Sequence, residues 1–166
     1  DTPQINNCKK TGVFYNSNYD FICDKIEHHK LKCIQLHGDE SPELCQKLLN
    51  LKIEVIKSFR IDQNFDFEIL NDYVNKCDLF LFDSKSQLPG GTGKTFDWEL
   101  LKKYKLDKEF FISGGIGLDS ISALNRLVDM KLPLYGIDVN SKFEDEFNLK
   151  VIEDLIKFKE IIDNEI

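Results

Sequence analysis

Short apolar, β-branched or aromatic runs alternate along the chain with longer segments in which apolar residues recur at helical spacing. The runs predict six β-strands, at Thr11–Tyr15, Cys33–Leu36, Glu54–Phe59, Leu79–Asp83, Phe110–Ser113 and Tyr135–Val139. Nearly continuous apolar runs are typical of parallel strands that are covered on both faces. The segments between them predict helices at Tyr19–His29, Pro42–Leu49, Phe65–Asn75, Trp98–Tyr104, Ser120–Val128 and Leu149–Asn164.

Strict alternation of strands and helices predicts a parallel sheet whose connections all have one hand. Two α/β architectures fit: an open doubly wound sheet, or a TIM (β/α)₈ barrel of which six of the eight βα units are present. Glycine and polar residues follow several of the strands, at positions 37–38, 83–84, 114–115 and 140–141. Functional groups at many strand ends, rather than at one switch point, favour the barrel.

Length and composition restrict the class of protein. The chain has 166 residues, 42% of them hydrophobic, which predicts a single domain over residues 1–166. The net charge of −7 is spread along the chain without a basic block, so nucleic acid is not an expected partner. No apolar run approaches the roughly 20 residues that span a bilayer, so no membrane association is expected.

The cysteines are informative mainly through their spacing. Five are scattered along the chain, at positions 8, 23, 33, 45 and 77, and no pair has CxxC spacing. This pattern suggests neither a zinc site nor a thioredoxin-type site. Reduced thiols in a cytoplasmic protein are the simplest interpretation.

Two glycine-bearing strand ends are candidates for phosphate binding. The segment Ser113–Gly117 carries three glycines between a strand and a helix, where backbone N–H groups and a helix N-terminus can face an anion. The last predicted strand has Asp138 near its end and is followed by Asn140 and Ser141, and Ser141 adds a hydroxyl group. Loops after the last two strands of a barrel are a recurrent phosphate site. A tight strand-to-helix turn without a ligand is the alternative.

A third glycine-rich segment, at residues 88–95, resembles a nucleotide-binding P-loop only in part. The Walker pattern requires glycine five residues before Gly93, and that position is Leu88. A loop that closes over an active site and excludes water is the better interpretation.

Two titratable residues follow apolar strands. Asp83 ends the run Leu79–Phe82, where a barrel strand points its last side chain into the mouth, and its carboxyl group is a candidate general acid. A helix cap or turn aspartate is the alternative. His37 follows the second strand and is a candidate either for binding an anionic substrate or for shuttling a proton; the alternative, a structural role, is the more common one for a histidine at a strand end.

Four motifs in order resemble those of phosphoribosylanthranilate isomerases. The first is Ile34–Glu40, which resembles the QLHGxE segment, and the second is Phe82–Asp83 followed by the GGTGKTFDW segment at 90–98. The third is Ser113–Ile116, which resembles the phosphate loop, and the fourth is Ile137–Glu144, which resembles the DVxSxxE strand. Together they cover nearly the whole chain. An indole-glycerol-phosphate synthase, another phosphate-binding barrel, does not account for the first two motifs together.

The resemblance implies a (β/α)₈ isomerase of tryptophan biosynthesis that works without a metal or an organic cofactor. Its reaction is the Amadori rearrangement of N-(5-phosphoribosyl)anthranilate to 1-(2-carboxyphenylamino)-1-deoxyribulose 5-phosphate. The resemblance implies that Asp83 is the acid. It also implies that a phosphorylated small molecule is bound by six positions: His37, Gly114, Gly115, Asp138, Asn140 and Ser141. Nothing in the sequence specifies an oligomeric state.

The resemblance also implies that the domain is N-terminally incomplete as a barrel and lacks two βα units, because several features of the family are not found in the 166 residues. The family's first strand carries a KICG motif whose cysteine is the general base, and its second unit carries an arginine for the anthranilate carboxylate. Cys8 precedes the segment that resembles the third strand, so it does not match that base. Asp145–Asn148 replaces the family's Pro-Gly pair. We therefore expect weak or absent turnover by this chain alone. A non-catalytic phosphate-binding or interaction module derived from the barrel is the alternative function.

Overall fold

The structure, a computed structural model, describes residues 8–84 and 97–165. Its strands are β1 Thr11–Phe14, β2 Cys33–Leu36, β3 Glu54–Ile61, β4 Leu79–Ser84, β5 Phe110–Ile112 and β6 Leu134–Ile137. Its α-helices are α1 Tyr19–His29, α2 Pro42–Leu49, α3 Ile121–Asp129 and α4 Ile152–Glu165. Short 3₁₀ helices lie at Phe67–Asp72, Trp98–Lys103, Leu118–Ser120 and Ser141–Phe143. No helix among the described residues has the length and apolar character of a membrane span.

The strands join one sheet in the same order in which they occur along the chain. The pairs β1–β2, β2–β3 and β5–β6 are parallel. A doubly wound sheet reverses its direction of growth at a switch point, whereas a β/α barrel adds its strands in sequence. The prediction of a parallel α/β fold is confirmed, and the strand order is that of the barrel and not of the doubly wound sheet.

Backbone contacts divide the chain into two compact units. The first unit comprises Asp1–Phe59 and Asp66–Leu81, and the second comprises Arg60–Phe65 and Phe82–Ile166. The single domain over residues 1–166 therefore stays a prediction.

In the first unit, β2 lies at the centre of the packing. All four of its residues are buried, as the continuous apolar run predicts. Side chains of both flanking helices are also fully buried: Ile22 of α1, and Cys45 and Leu48 of α2. Burying an aliphatic side chain contributes about 1.5–3 kcal/mol. The burial of β2 and of these helix faces thus forms the core from which the loop after β2 emerges.

Local capping explains why both helices of this unit begin where the sequence predicts. The Asn18 side chain accepts a hydrogen bond from the Phe21 N–H at 2.9 Å, which caps α1. The Ser41 hydroxyl accepts one from the Leu44 N–H at 3.3 Å, and Pro42 occupies the first turn of α2. The predicted bounds of both helices are confirmed.

In the second unit, an aromatic cluster packs beneath the end of β4. The Phe82 ring lies 5.3 Å from the Tyr104 ring and 4.8 Å from the Phe110 ring, centroid to centroid. Such pairs contribute about 0.5–1.5 kcal/mol beyond the area that they bury. The cluster holds the last apolar residue of β4 in place, and therefore also the polar residue that follows it.

Two predicted α-helices are 3₁₀ helices instead. The predicted helix Phe65–Asn75 is observed as Phe67–Asp72, and the predicted Trp98–Tyr104 as Trp98–Lys103. In each case an aspartate side chain, Asp66 or Asp97, accepts from the N–H two residues later. A cap to the residue two positions later begins a tight turn. Each segment ends after six residues, before the hydrogen-bond pattern of an α-helix is established.

The last helix begins later than predicted. Leu149 was expected to open it, but α4 begins at Ile152. Asp145 accepts hydrogen bonds from the Phe147 and Leu149 N–H groups, both at 2.9 Å. Asn148 has a left-handed φ of 59°, which cannot continue a helix. The residues before Ile152 therefore form a turn.

Candidate functional site

In the first unit, His37 lies directly after β2 and is half-buried. Its backbone N–H donates to the Phe14 carbonyl at 2.8 Å, which extends the pairing with β1. The amide nitrogen of Gln35 lies 3.0 Å from His37 Nδ1 and 3.2 Å from Ser58 Oγ. The imidazole is therefore held on its Nδ1 side by a buried side chain of β2.

A buried ion pair anchors the loop that follows. Lys57 Nζ of β3 lies 3.4 Å from Glu40 Oε2, and their side chains are only 3% and 1% exposed. Burial lowers the pKa of Lys57, while the Glu40 charge acts in the opposite direction. Two charges in such a setting require further hydrogen bonds to offset their desolvation.

Backbone groups supply those hydrogen bonds. Lys57 Nζ donates to the carbonyl oxygens of Leu36, Gly38 and Ser58 at 3.3, 2.7 and 2.9 Å. Glu40 accepts from the Asn16 N–H at 2.8 Å and from the Gly38 N–H at 3.0 Å. An ammonium group has three protons, and these carbonyls engage all of them. Lys57 is thus a structural anchor of the loop and not a candidate base.

Gly38 is required by the close approach of Asn16. A Cβ atom at Gly38 would lie 2.3 Å from Asn16 Oδ1 and 2.7 Å from its backbone nitrogen. Asn16 Oδ1 also accepts from the Asp39 N–H at 2.6 Å. The Tyr73 hydroxyl donates to the Glu40 carbonyl at 3.1 Å, and burial raises the pKa of Tyr73 to about 12, which keeps it a donor. The loop after β2 is rigidly held on all of these sides.

In the second unit, the structure brings Asp83 and Gly114 together. Asp83 is half-buried near the end of β4, and its Oδ1 accepts from the Ser84 N–H at 2.8 Å. A Cβ atom at Gly114 would lie 2.7 Å from Asp83 Oδ1 and 2.4 Å from Ser84 Oγ. The candidate acid therefore lies against the backbone of the candidate phosphate loop.

That loop has the backbone geometry which the glycines predict. Gly114 and Gly115 have φ angles of 95° and 65°, a region that side chains other than glycine rarely adopt. The Ser113 N–H donates to the Phe82 carbonyl at 2.9 Å, so the loop begins beside β4. The turn itself therefore requires these glycines, whether or not a ligand binds there.

Replacing Gly114 by alanine is expected to lower the free energy of unfolding by about 1–3 kcal/mol, because the new Cβ meets Asp83 and Ser84 and the left-handed backbone becomes strained. Urea unfolding measures this change. Gly117→Ala is the matched control for backbone strain and should lose less stability: its Cβ would also meet close neighbours, Lys142 Cβ at 3.0 Å and Asp119 Oδ1 at 3.1 Å, but Gly117 has an extended φ of −155°. Equal losses in the two variants would show that the conformation of Gly114 is not special.

Asp138 joins the end of β6 to the same loop. Its backbone N–H donates to the Ile112 carbonyl at 2.8 Å, and its Oδ2 accepts from the Ser113 hydroxyl at 3.2 Å. Asp138 is half-buried. Three of the predicted site residues, Asp83, Gly114 and Asp138, are therefore linked through adjacent strand ends.

Asn140 and Ser141 are exposed and lead into a 3₁₀ turn. Lys150 Nζ donates to the Asn140 carbonyl at 3.1 Å and to its side-chain oxygen, and pairs with Glu144 at 2.7 Å. Lys142 Nζ pairs with Asp119 at 2.9 Å, and this hydrogen bond lowers the pKa of Asp119. The loops after β5 and β6 are thus joined by an ion pair.

Sequence reasoning missed four charged residues near these loops: Glu40, Lys57, Lys142 and Lys150. A signal existed for Lys57, since it lies in the middle of a strand predicted to be covered on both faces, where a lysine is rarely left unpaired. Glu40 and Lys142 lie within two of the four motifs, which was a signal for both, whereas Lys150 lies in a polar segment outside the motifs.

Other features contribute little to the site. The glycine-rich segment at 88–95 lies outside the described residues. Within residues 8–84 and 97–165, no group of three or more His, Cys, Asp or Glu side chains is arranged to hold a metal ion. A cavity of about 470 Å³ lies against β1, beside Thr11, Phe14 and Phe21, and its lining includes none of the predicted site residues.

Comparison with known proteins connects the chain to one family. The family model for N-(5'-phosphoribosyl)anthranilate (PRA) isomerase matches residues 3–163. The N-(5'-phosphoribosyl)anthranilate isomerase of Parabacteroides distasonis is 41% identical over 150 residues, which are 90% of this chain and 67% of that protein. The corresponding protein of Phocaeicola vulgatus is 41% identical over 82% of this chain and 66% of its own length. The chain thus spans about two thirds of these relatives.

Solved structures agree in fold. The crystal structure of phosphoribosyl anthranilate isomerase from Thermotoga maritima is 30% identical, with a TM-score of 0.78 over 95% of this chain and 74% of that one. A second crystal structure, of phosphoribosyl anthranilate isomerase in complex with reduced 1-(o-carboxyphenylamino)-1-deoxyribulose 5-phosphate, is 26% identical with a TM-score of 0.74 over 93% of this chain and 71% of that one. From this match in sequence and fold, we conclude that the chain belongs to the N-(5'-phosphoribosyl)anthranilate isomerase family.

Proposed function

We propose that this chain carries the general acid and the phosphate site of a phosphoribosylanthranilate isomerase, an enzyme of tryptophan biosynthesis. The substrate is N-(5'-phosphoribosyl)anthranilate, and the product is 1-(2-carboxyphenylamino)-1-deoxyribulose 5-phosphate. One observation carries the proposal: Asp83 lies against Gly114, so that a carboxyl group and a left-handed glycine loop meet at neighbouring strand ends. The names of the matching relatives support the choice of substrate.

The proposed chemistry is acid–base catalysis. Asp83 donates a proton to the ribose ring oxygen as the C1–O bond breaks, which opens the ring to a protonated Schiff base. A base then removes the proton from C2, whose electron pair forms a C1–C2 double bond as the C1–N double bond becomes single. The resulting enolamine tautomerises to the ketone. Proton transfers alone complete this reaction, so we propose no metal or organic cofactor.

The phosphate is proposed to bind the loops after β5 and β6. Gly114 and Gly115 would present backbone N–H groups, and Asn140 and Ser141 would add side-chain donors. Asp138 contributes by holding Ser113 through its hydroxyl group. His37 is proposed to contact the substrate from the loop after β2. These six positions are the proposed binding residues for a small phosphorylated molecule.

We propose that the six βα units correspond to six of the eight units of a (β/α)₈ barrel, in line with the 74% of the Thermotoga maritima chain that is matched. The family's KICG-type motif is not found in the 166 residues. The general base is then proposed to come from a segment outside them. Since a general base contributes about 10²–10⁴-fold, this chain alone is expected to turn over weakly or not at all.

A second candidate function rests on that same missing motif. A non-catalytic phosphate-binding or interaction module derived from the barrel would retain the loops after β5 and β6 without needing a base. Both functions predict phosphate binding, and they differ in whether the complete gene product forms the ketone.

Calorimetric titration with reduced 1-(o-carboxyphenylamino)-1-deoxyribulose 5-phosphate tests the proposed phosphate site. We expect saturable binding that inorganic phosphate competes away. Ser141→Ala is expected to weaken the affinity by about 10–100-fold, because a hydrogen bond to a charged group contributes about 1.5–3 kcal/mol. Ser122→Ala, an exposed serine of α3, is the matched control and should bind like the unaltered chain. Unchanged affinity in Ser141→Ala would contradict the assignment of this loop.

A further inference from the structure

The contact between Gln35 and His37 restricts where the imidazole carries its proton. Gln35 Nε2 lies 3.0 Å from His37 Nδ1. An amide nitrogen is a donor and never an acceptor. His37 Nδ1 must then accept, with its lone pair facing Gln35. The single proton of the neutral ring is placed on Nε2.

The Gln35 amide also contacts the neighbouring strand. Its side chain is buried within β2, and the same nitrogen lies 3.2 Å from Ser58 Oγ on the neighbouring strand β3. The two N–H bonds of the amide thus have two acceptors, one on each side.

The backbone beyond His37 is equally constrained. The Gly38 carbonyl is bound by Lys57 at 2.7 Å, and the Gly38 N–H donates to Glu40 at 3.0 Å. Because the loop is held in this way, its movement does not help the imidazole to rotate away from Gln35. The ring and its partner form a preorganised pair, which is how neighbouring side chains fix the orientation and tautomer of a functional histidine.

We propose that Gln35 is a positioning residue that holds His37 as the neutral tautomer protonated on Nε2. His37 then acts on the substrate as a hydrogen-bond donor and not as a proton shuttle. The acceptor it suits is an oxygen of the phosphorylated substrate, either a carboxylate or a sugar oxygen. The statement about the substrate rests on the proposed function, whereas the tautomer does not.

Long-range ¹H–¹⁵N correlation spectra of the histidine-labelled chain test the tautomer directly. The chain has three histidines, so His28→Gln and His29→Gln variants assign the remaining signals to His37. Spectra are recorded without ligand at about pH 8, where an ordinary histidine is neutral. We expect a protonated Nε2 and an unprotonated Nδ1. A protonated Nδ1 would overturn the proposal, since it requires the amide oxygen of Gln35 to face the ring.

Two variants test whether Gln35 sets the tautomer. Gln35→Glu replaces the donor by an acceptor, so the proton is expected to move to Nδ1. Gln35→Met keeps the side-chain length without a donor, and both tautomers are then expected; this variant serves if the buried glutamate prevents folding. Gln46→Glu, at a half-buried glutamine of α2 whose amide donates to Asn50, is the matched control and should leave the His37 signals unchanged. A pure Nε2–H form in Gln35→Met would overturn the proposal.

These spectra are independent of turnover. If the isomerase assay fails and His37 is still protonated on Nε2, the proposed function is wrong and the role of Gln35 stands. If the assay succeeds and Nδ1 carries the proton, the function stands and the role of Gln35 is wrong.

Discussion

Asp83→Asn is expected to lower turnover of N-(5'-phosphoribosyl)anthranilate by about 10²–10⁴-fold in the complete translation product of this gene. Asparagine has nearly the same shape, and its amide still fits beside Gly114, but it has no acidic proton to give to the ribose ring oxygen. Because the phosphate loop is undisturbed, affinity for the reduced product analogue is expected to change little. Steady-state kinetics together with calorimetric titration separate the two effects.

The control is an aspartate outside the site. Asp163 lies on α4, exposed, and pairs with Lys159. Asp163→Asn makes the same chemical change without touching the loops after β4, β5 or β6, so its turnover should match that of the unaltered protein. If Asp83→Asn retained the same turnover as this control, Asp83 would not be the acid.

Lys57→Met is expected to lower the free energy of unfolding by about 3–5 kcal/mol, because it leaves the Glu40 carboxylate buried without its counter-charge. The carboxylate is 1% exposed and retains only its two backbone donors. Urea unfolding followed by circular dichroism measures the change. This is a large fraction of the roughly 5–15 kcal/mol that stabilises a typical domain.

Two comparisons distinguish the cost of leaving the Glu40 charge buried and unpaired from the cost of losing an exposed ion pair or the packing of Lys57. Lys159→Met removes an exposed partner of Asp163 and should cost at most about 1 kcal/mol. The double variant Lys57→Met with Glu40→Gln removes the orphaned charge, so it should be more stable than Lys57→Met alone. Equal stability of the single and double variants would mean that the lost packing of Lys57, and not the charge of Glu40, determines the cost.

Much of the fold is encoded in short-range patterns, and those parts could be predicted. The β2 bounds could be predicted from the short, mostly apolar run Cys33–Leu36, and the start of α2 from the Ser41-Pro42 cap. The sheet order follows from strict alternation once the glycines are seen to occur after several strands. The difference between α- and 3₁₀-helix at Phe67–Asp72 could not be predicted, because apolar spacing over six residues fits both periods.

The candidate site also has some contacts that could be predicted from the sequence and others that could not. The contact between Asp83 and Gly114 is foreseeable, since Asp83 lies near the end of β4 and Gly114 follows β5, the neighbouring strand in the sheet. The Lys57–Glu40 pair is not, because 17 positions separate its members and their contact depends on how the loop after β2 folds back onto β3. The Lys150–Asn140 contact is set by the turn at Asp145–Asn148, where this sequence departs from the family's Pro-Gly pair.

The most direct test of the proposed isomerase is a turnover assay on the complete gene product. N-(5'-phosphoribosyl)anthranilate is supplied, and the deoxyribulose phosphate product is separated by chromatography and quantified. We predict that the complete product forms this ketone, and that the 166-residue chain alone forms it at least about 100-fold more slowly for lack of a base. If the complete product bound the phosphorylated analogue but formed no ketone, the proposed isomerase would be contradicted and the binding module favoured.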